Sequence, residues 1–204
     1  MKRRAPIHGR WRRLCRGMAV VGIAMCALLG LAGLAGARFN MTASLPKGLY
    51  WVSGDAIARG TYVRFCPPAT GAFAEAMERG YLHHGRCPTG YVPMIKRVSG
   101  VAGDVVDIDP HAIRVNGMTL PLSIARSADG AGRPLPRLDH THLNLAASQL
   151  WVMSDTNERS FDSRYFGPID RAWVKDVVRP VLTWGHGGTL EHLSDRLGMN
   201  SKQG

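Results

Sequence analysis

The first 16 residues contain no acidic side chain, and the 21 that follow, Gly17 to Ala37, contain no charge of either sign. Seven cations precede that uncharged run (Lys2, Arg3, Arg4, Arg10, Arg12, Arg13 and Arg16), and Arg38 closes it. Beyond it the basic excess is missing as well. Residues 39–204 hold 18 cations against 15 acids, so most of the formal +11 sits at one end. That distribution excludes a globule that binds nucleic acid, which would spread Lys and Arg over a folded face. Charge is scarce overall, 20% of residues against 45% hydrophobic, which excludes a disordered chain. There is no internal repeat and no long low-complexity tract, and 204 residues suit one domain.

What stands at the N-terminus is a membrane device. A helix over the 21 uncharged residues is about 31 Å long at a rise of about 1.5 Å per residue. The hydrocarbon core of a bilayer is about 30 Å thick. Seven cations lie before the run and one after it, which orients the N-terminus to the cytoplasm and everything after Arg38 to the outside, the periplasm if the host is Gram-negative. Two forms of the device stay open: an uncleaved anchor, which is preferred, or a signal peptide cut at Ala35-Gly36-Ala37. The expected plan is a basic cytoplasmic segment (1–16), a transmembrane anchor (17–37), a periplasmic domain (38–184) and a polar C-terminal tail (185–204). Of the four cysteines, Cys15 and Cys26 belong to the membrane end. Cys66 and Cys87 both fall in the exported part, where an even pair is most simply a disulfide. Closing that loop is worth about 3 kcal/mol in the chain-entropy model. A catalytic cysteine is the alternative, but each is followed by Pro and neither sits in a nucleophile motif.

The exported part reads as short, frequent strands. Leu49–Val52 and Thr61–Phe65 are rich in aromatic and β-branched residues. Val92–Val98, Val105–Ile108, Ala112–Val115, Leu150–Met153, Trp173–Val178 and Val181–Trp184 follow. Asn116-Gly117 is a two-residue hairpin signal, because both residues tolerate positive φ. Ala72–Arg79 reads as a helix inside the cysteine loop, and residues 121–149 as a loop-rich insertion. The fold class is mainly β, antiparallel sheets with one small helical insertion behind the N-terminal membrane helix.

Three segments stand out: Asn40-Met41-Thr42-Ala43-Ser44-Leu45-Pro46-Lys47-Gly48-Leu49-Tyr50, then Met94 to Asp104 (M-I-K-R-V-S-G-V-A-G-D), then Ser154 to Pro168 (S-D-T-N-E-R-S-F-D-S-R-Y-F-G-P). In order and spacing they resemble the boxes of the type I signal peptidases, membrane serine proteases with a Ser/Lys dyad. The first segment is most similar to the TraF-type conjugal-transfer maturation peptidases. The resemblance covers about residues 18–184 and implies a signal-peptidase-like β fold. It implies that the nucleophile is Ser44 and the general base Lys96. The oxyanion hole is then the Ser44 N–H with the Thr42 hydroxyl. The supporting residues are Asp155, Asp162 and Arg164. Leu45 and Pro46 after the serine, and Ser154-Asp155-Thr156 where general signal peptidases read G-D-N, favour the specialised subgroup.

The chemistry of these residue types agrees. A serine hydroxyl needs an adjacent base, and the sequence offers no convincing Ser/His/Asp order. Lysine serves only when neutral; at its ordinary pKa of about 10.4, roughly one in two thousand is neutral near pH 7. Apolar burial lowers that pKa, and Lys96 lies among Val92, Met94, Ile95 and Val98. On periodicity alone Lys96 reads as an ordinary solvent-facing strand lysine, and it is the resemblance that reverses this; Thr42 reads equally as a turn residue. Asp162 and Arg164, two apart, suit a buried pair that orients Lys96 or its neighbours. Pro46 and Gly48 are expected to turn the chain at Ser44. His140-x-His142 with Asp139, and His83-His84, form no complete metal site, so no metal or cofactor is expected. Leu49, Tyr50 and Trp51 are either core or membrane-surface residues.

The expected activity is cleavage of an exported, pilin-like precursor beside its membrane span. The partners are that precursor and the lipid bilayer, without nucleic acid. Joining of the new ends into a cyclic pilin, as some of the subgroup perform, stays open. A general signal peptidase and a non-catalytic anchored component of a conjugation apparatus are the alternatives. Self-cleaving Ser/Lys repressors are excluded by the membrane segment and the lack of a DNA-binding helix pair in residues 1–90.

Overall fold

The computed structural model describes residues 7–138, 141–185 and 188–189. They fall into two compact units, Met1–Ala37 and Arg38–Gly204. The first unit is one helix, α1 (Ile7–Leu34). Its stretch Trp11–Leu34 has a mean hydropathy of 2.2 with no part of the most apolar window buried, so it is long and apolar enough to cross a bilayer. The helix differs from the uncharged run at both ends. It starts within the basic segment, since Arg is a good helix former. It stops at Leu34, where Gly36 takes a φ of 116°.

The second unit is built from β1 (Ala37–Asn40), β2 (Lys47–Ser53), β3 (Tyr62–Phe65), α2 (Gly71–Glu78), β4 (Met94–Gly100), β5 (Val105–Asp109), β6 (Ala112–Val115), β7 (Met118–Thr119), β8 (Thr141–Asn144), β9 (Gln149–Met153), α3 (Ser163–Phe166), β10 (Ile169–Asp170) and β11 (Val174–Trp184). A short 3-10 turn, Arg171–Trp173, precedes β11. Seven strands form one sheet in the order β1-β2-β11-β3-β4-β9-β10, and four form another in the order β7-β6-β5-β8. Every pairing with a defined register is antiparallel. The fold is mainly β with small helices.

Strand β9 joins two cores because it is apolar on both faces. Leu150 and Val152 pack with Val63, Phe65, Met94 and Val98, whereas Trp151 and Met153 pack with Val106, Ile108, Ile113 and Val115. Asn116 and Gly117 take φ values of 50° and 77° and close the β6–β7 hairpin, with Val115 opposite Met118. The strand signals at 173–178 and 181–184 merge into the single β11. Its register shifts between Pro180 and Leu182 while it pairs with β2, and its pairing with β3 ends at Val178, so the missing N–H of Pro180 lies where only one neighbour is present. Three strands carry weak sequence signals and were not expected: β1, β10 and β8, the last inside the 121–149 insertion. Most of the 185–204 tail lies outside the described residues.

Cys66 and Cys87 are joined by a disulfide with Cα atoms 5.6 Å apart. The loop it closes carries α2, whose Phe73 packs on Phe161, Phe166 and Trp173 at ring distances of 6.2, 4.6 and 6.1 Å. The cross-link closes the loop, and Phe73 docks it onto the Ser154–Pro168 segment. Replacing both cysteines by serine is expected to cost about 2–4 kcal/mol in urea unfolding. Non-reducing peptide mapping of exported protein should recover one cross-linked pair, and two free thiols there would remove the claim.

Candidate active site

Ser44 lies in the connection between β1 and β2, and that connection is stitched by one buried side chain. Asn40 sits 4% exposed at the end of β1. Its Oδ1 accepts from the Thr42 N–H at 3.1 Å and the Thr42 hydroxyl at 2.8 Å. Its Nδ2 donates to the carbonyls of Thr42, Leu45 and Pro46, each at 3.2 Å. The Tyr50 hydroxyl adds a 2.8 Å bond to the Pro46 carbonyl. Leu45 is buried beneath, leaving Ser44 half-buried at the turn. Asn40 was not singled out from the sequence, where it is one more polar residue before a turn. Gly48, expected to turn the chain here, lies instead within β2 opposite Thr183. With φ at 145°, a Cβ there would stand 2.2 Å from the Leu182 carbonyl oxygen, so the close approach of β2 to β11 requires glycine.

Lys96 is set by β4, whose residues alternate buried and half-buried from Met94 to Gly100. The side chain is 1% exposed, and the period-2 pattern puts Arg97 on the other face, paired with Asp155. The Lys96 Nζ donates to the Ser160 Oγ at 2.6 Å. Burial pushes its pKa down from 10.5 to about 8; the nearby Asp162 carboxylate acts against that shift and the Arg164 guanidinium with it. Among the described residues the amine's hydrogen-bond partner is Ser160, not Ser44. Ser160 was not assigned a role from the sequence; its signal there is its place in the third motif segment, two residues before Asp162.

Asp162 and Arg164 form an ion pair with neither side chain exposed. Arg164 Nε bonds Asp162 Oδ1 at 2.8 Å and Nη2 bonds Oδ2 at 2.7 Å, a bidentate fork. The remaining guanidinium N–H groups reach the carbonyls of Leu122 (2.7 Å), Glu158 (2.9 Å), Asn157 (3.2 Å) and Ser160 (3.1 Å). Asp162 also caps α3 and accepts from the Ser154 N–H at 3.1 Å. The pair thus fixes the 157–160 loop, and with it the hydroxyl that meets Lys96. The same loop reaches the serine turn: Asn157 Nδ2 donates to the Ala43 carbonyl at 2.9 Å. Asp155 belongs elsewhere. Its carboxylate pairs with Arg97 on the opposite face of β4, and its Oδ1 has no hydrogen-bond partner among the described residues.

Thr42, Ser44, Lys96 and Ser160 line one cavity of about 940 Å³. Of the histidines singled out in the sequence, His83 shares this cavity. His142 Nδ1 lies 2.6 Å from Asp107 on the exposed β5–β8 pair, and His140 and Asp139 lie outside the described residues. His84 bridges to Tyr91, while His83 lines the cavity. Among the described residues no group of three metal-ligating side chains occurs. Tyr50 is core at 1% exposure, whereas Trp51 is 38% exposed.

The chain matches the family model for signal peptidase, peptidase S26, over residues 11–182. It is 47% identical over 175 residues to a plasmid transfer protein TraF of Escherichia coli, covering 86% of this chain and 99% of that protein. A probable conjugal transfer protein TraF of Sinorhizobium fredii is 35% identical over 177 residues, covering 86% of this chain and 92% of that one. Among solved structures, a signal peptidase I of Enterococcus faecalis is similar at a TM-score of 0.37 and 21% identity, over 62% of this chain and 100% of that chain. A family match along most of the chain, with relatives about half identical over nearly their full lengths, makes this chain a TraF-like member of the signal peptidase family S26.

Proposed function

We propose that the chain is a membrane-anchored serine endopeptidase that cuts an exported precursor by Ser/Lys chemistry, with Ser44 as nucleophile and Lys96 as general base. The observation that carries this reading is Lys96 itself: an amine with 1% exposure, its pKa down at about 8, opening on the cavity that also holds Ser44. At that pKa about a tenth of the amines are neutral at pH 7, against roughly one in two thousand for an ordinary lysine. Neutral Lys96 takes the proton of the Ser44 hydroxyl as Oγ attacks the scissile carbonyl. The Ser44 N–H and the Thr42 hydroxyl hold the oxyanion, the latter after turning from Asn40. Collapse breaks the C–N bond, the Lys96 ammonium returns its proton to the leaving amine, and water then hydrolyses the acyl ester on Ser44.

The substrate we infer is a conjugative pilin precursor, cut after a small residue beside its membrane span. Support comes from relatives named for plasmid and conjugal transfer and from the apolar helix Trp11–Leu34. In the proposed plan residues 1–16 are cytoplasmic, 17–37 anchor the chain and 38–184 work in the periplasm. A terminal amine of the same pilin attacking the acyl ester, in place of water, yields a cyclic product.

Ser44→Ala and Lys96→Ala are each expected to abolish processing of a co-expressed pilin precursor, read by mass spectrometry of the product termini. The double variant should lose no more than either single one, because the two act as a unit. Appreciable cleavage by either single variant would sink the mechanism. Ser160→Ala is expected to lower kcat at least about tenfold with KM little changed, because the lost bond orients the base rather than the substrate.

The rate should rise with pH through about 8 as Lys96 loses its proton, and chelators should leave it unchanged. A profile already flat above neutral pH would count against Lys96 as the base.

The lowered pKa also links folding to pH. Between about 8 and 10.5 the unfolded chain binds a proton that the folded chain does not, so stability rises with pH across that window and the burden of a buried ammonium is greatest below 8. Lys96→Met should therefore be more stable than wild type at pH 7, by up to about 3 kcal/mol. Its advantage in urea unfolding should shrink as the pH approaches 10.5.

A further inference from the structure

The far wall of the cavity is built from two segments outside the three motif boxes: the end of the disulfide-closed loop and the 121–138 insertion. They are welded together. The Tyr81 hydroxyl donates to Asp129, and the Arg133 guanidinium lies 5.7 Å from the Tyr81 ring centre. Arg79 donates to the Pro134 carbonyl at 2.6 Å, and Arg133 returns a 3.2 Å bond to the Arg79 carbonyl.

The weld leaves an uneven charge. Asp129 is the single acid among the described residues that line the cavity. Its carboxylate is already occupied by Tyr81, by Arg133 Nε at 2.7 Å and by the N–H groups of Ala131 (2.8 Å) and Arg133 (2.9 Å). Two guanidinium groups on the lining are not so occupied. Arg159, next to Ser160, makes no side-chain hydrogen bond or ion pair with the described residues, and Arg126 has only a 3.2 Å contact to exposed Glu158. Such exposed pairs are weak and readily exchanged. His83 lines the same wall. A cleft lined by one sign of charge concentrates ligands of the other.

We propose that Arg126 and Arg159 form a subsite for an acidic side chain of the substrate, a Glu or Asp within a few residues of the bond that is cut. This rests on the peptidase reading above and adds the substrate's charge to it. The arginine fork matches a carboxylate in a way that a neutral amide cannot. A cavity of about 940 Å³ has room for several residues of an extended peptide beside Ser44.

The test is direct binding to the detergent-solubilised full chain carrying Ser44→Ala, so that chemistry plays no part. The probes are short fluorescent Ala/Gly/Ser peptides with one Glu at successive positions, each matched by its Gln twin. At least one Glu peptide should bind about fivefold or more tightly than its twin at low salt, and the preference should shrink at high salt. Adding Arg126→Ala and Arg159→Ala should abolish it. Arg159→Glu should shift preference toward a Lys-bearing peptide, a reversal that misfolding cannot produce. Equal binding of every pair, or a preference that survives loss of both arginines, overturns the proposal. If the Ser44→Ala chain prefers Glu while the wild type cuts none of these peptides or the pilin precursor, the peptidase reading fails and the subsite stands.

Discussion

One uncompensated amine organises the candidate site. Lys96 is buried at 1% exposure with a hydroxyl, not a carboxylate, as its hydrogen-bond partner. A carboxylate in direct contact would hold the proton on the amine. The structure keeps Asp162 near but saturates it with the Arg164 fork and the N–H groups of Ser154 and Arg164. Its pull on the lysine is opposed by Arg164, so desolvation decides the outcome. The buried pair thus frames the amine without holding a proton on it by direct contact.

The same frame carries geometry. Arg164 holds the carbonyls of Asn157, Glu158 and Ser160, and that loop then touches both halves of the site: Ser160 at Lys96 and Asn157 at Ala43. Asn40 does the corresponding work within the serine turn, where it meets two donors and three carbonyls. Buried polar groups with several partners hold a single arrangement, because losing any one leaves another unsatisfied in a medium of low dielectric. Such side chains keep Ser44 and Lys96 on one cavity although 51 intervening residues of sequence separate them.

The disulfide-closed loop and the 121–138 insertion build one wall of the cavity. Phe73 fastens the loop to the aromatic residues of the third segment, and Tyr81 fastens it to the insertion. Of the two arginines in the proposed subsite, Arg126 lies on the insertion, apart from the segments that hold Lys96, whereas Arg159 is one residue from Ser160.

By itself the sequence determined what is local or periodic. The apolar run became a helix as far as Leu34 because no proline interrupts it, and Gly36 at positive φ lies just beyond its end. Asn116-Gly117 became a hairpin because those two residues accept positive φ. The alternation around Lys96 gave the face it shares with Met94 and Val98. The three motif segments marked the family. Tertiary structure alone decided the rest, for a common reason: it depends on groups distant in the chain. Ser160 acquires its place at Lys96 across 64 residues. Gly48 is needed because β11 passes close by, not because the chain turns there. Pro180 is tolerated within β11 because pairing with β3 has ended. Strand β8 forms because β5 offers it an edge. Whether a lysine at that position is a solvated surface cation or a buried amine with a lowered pKa depends on how much water the fold removes from it, and no pattern within β4 encodes that.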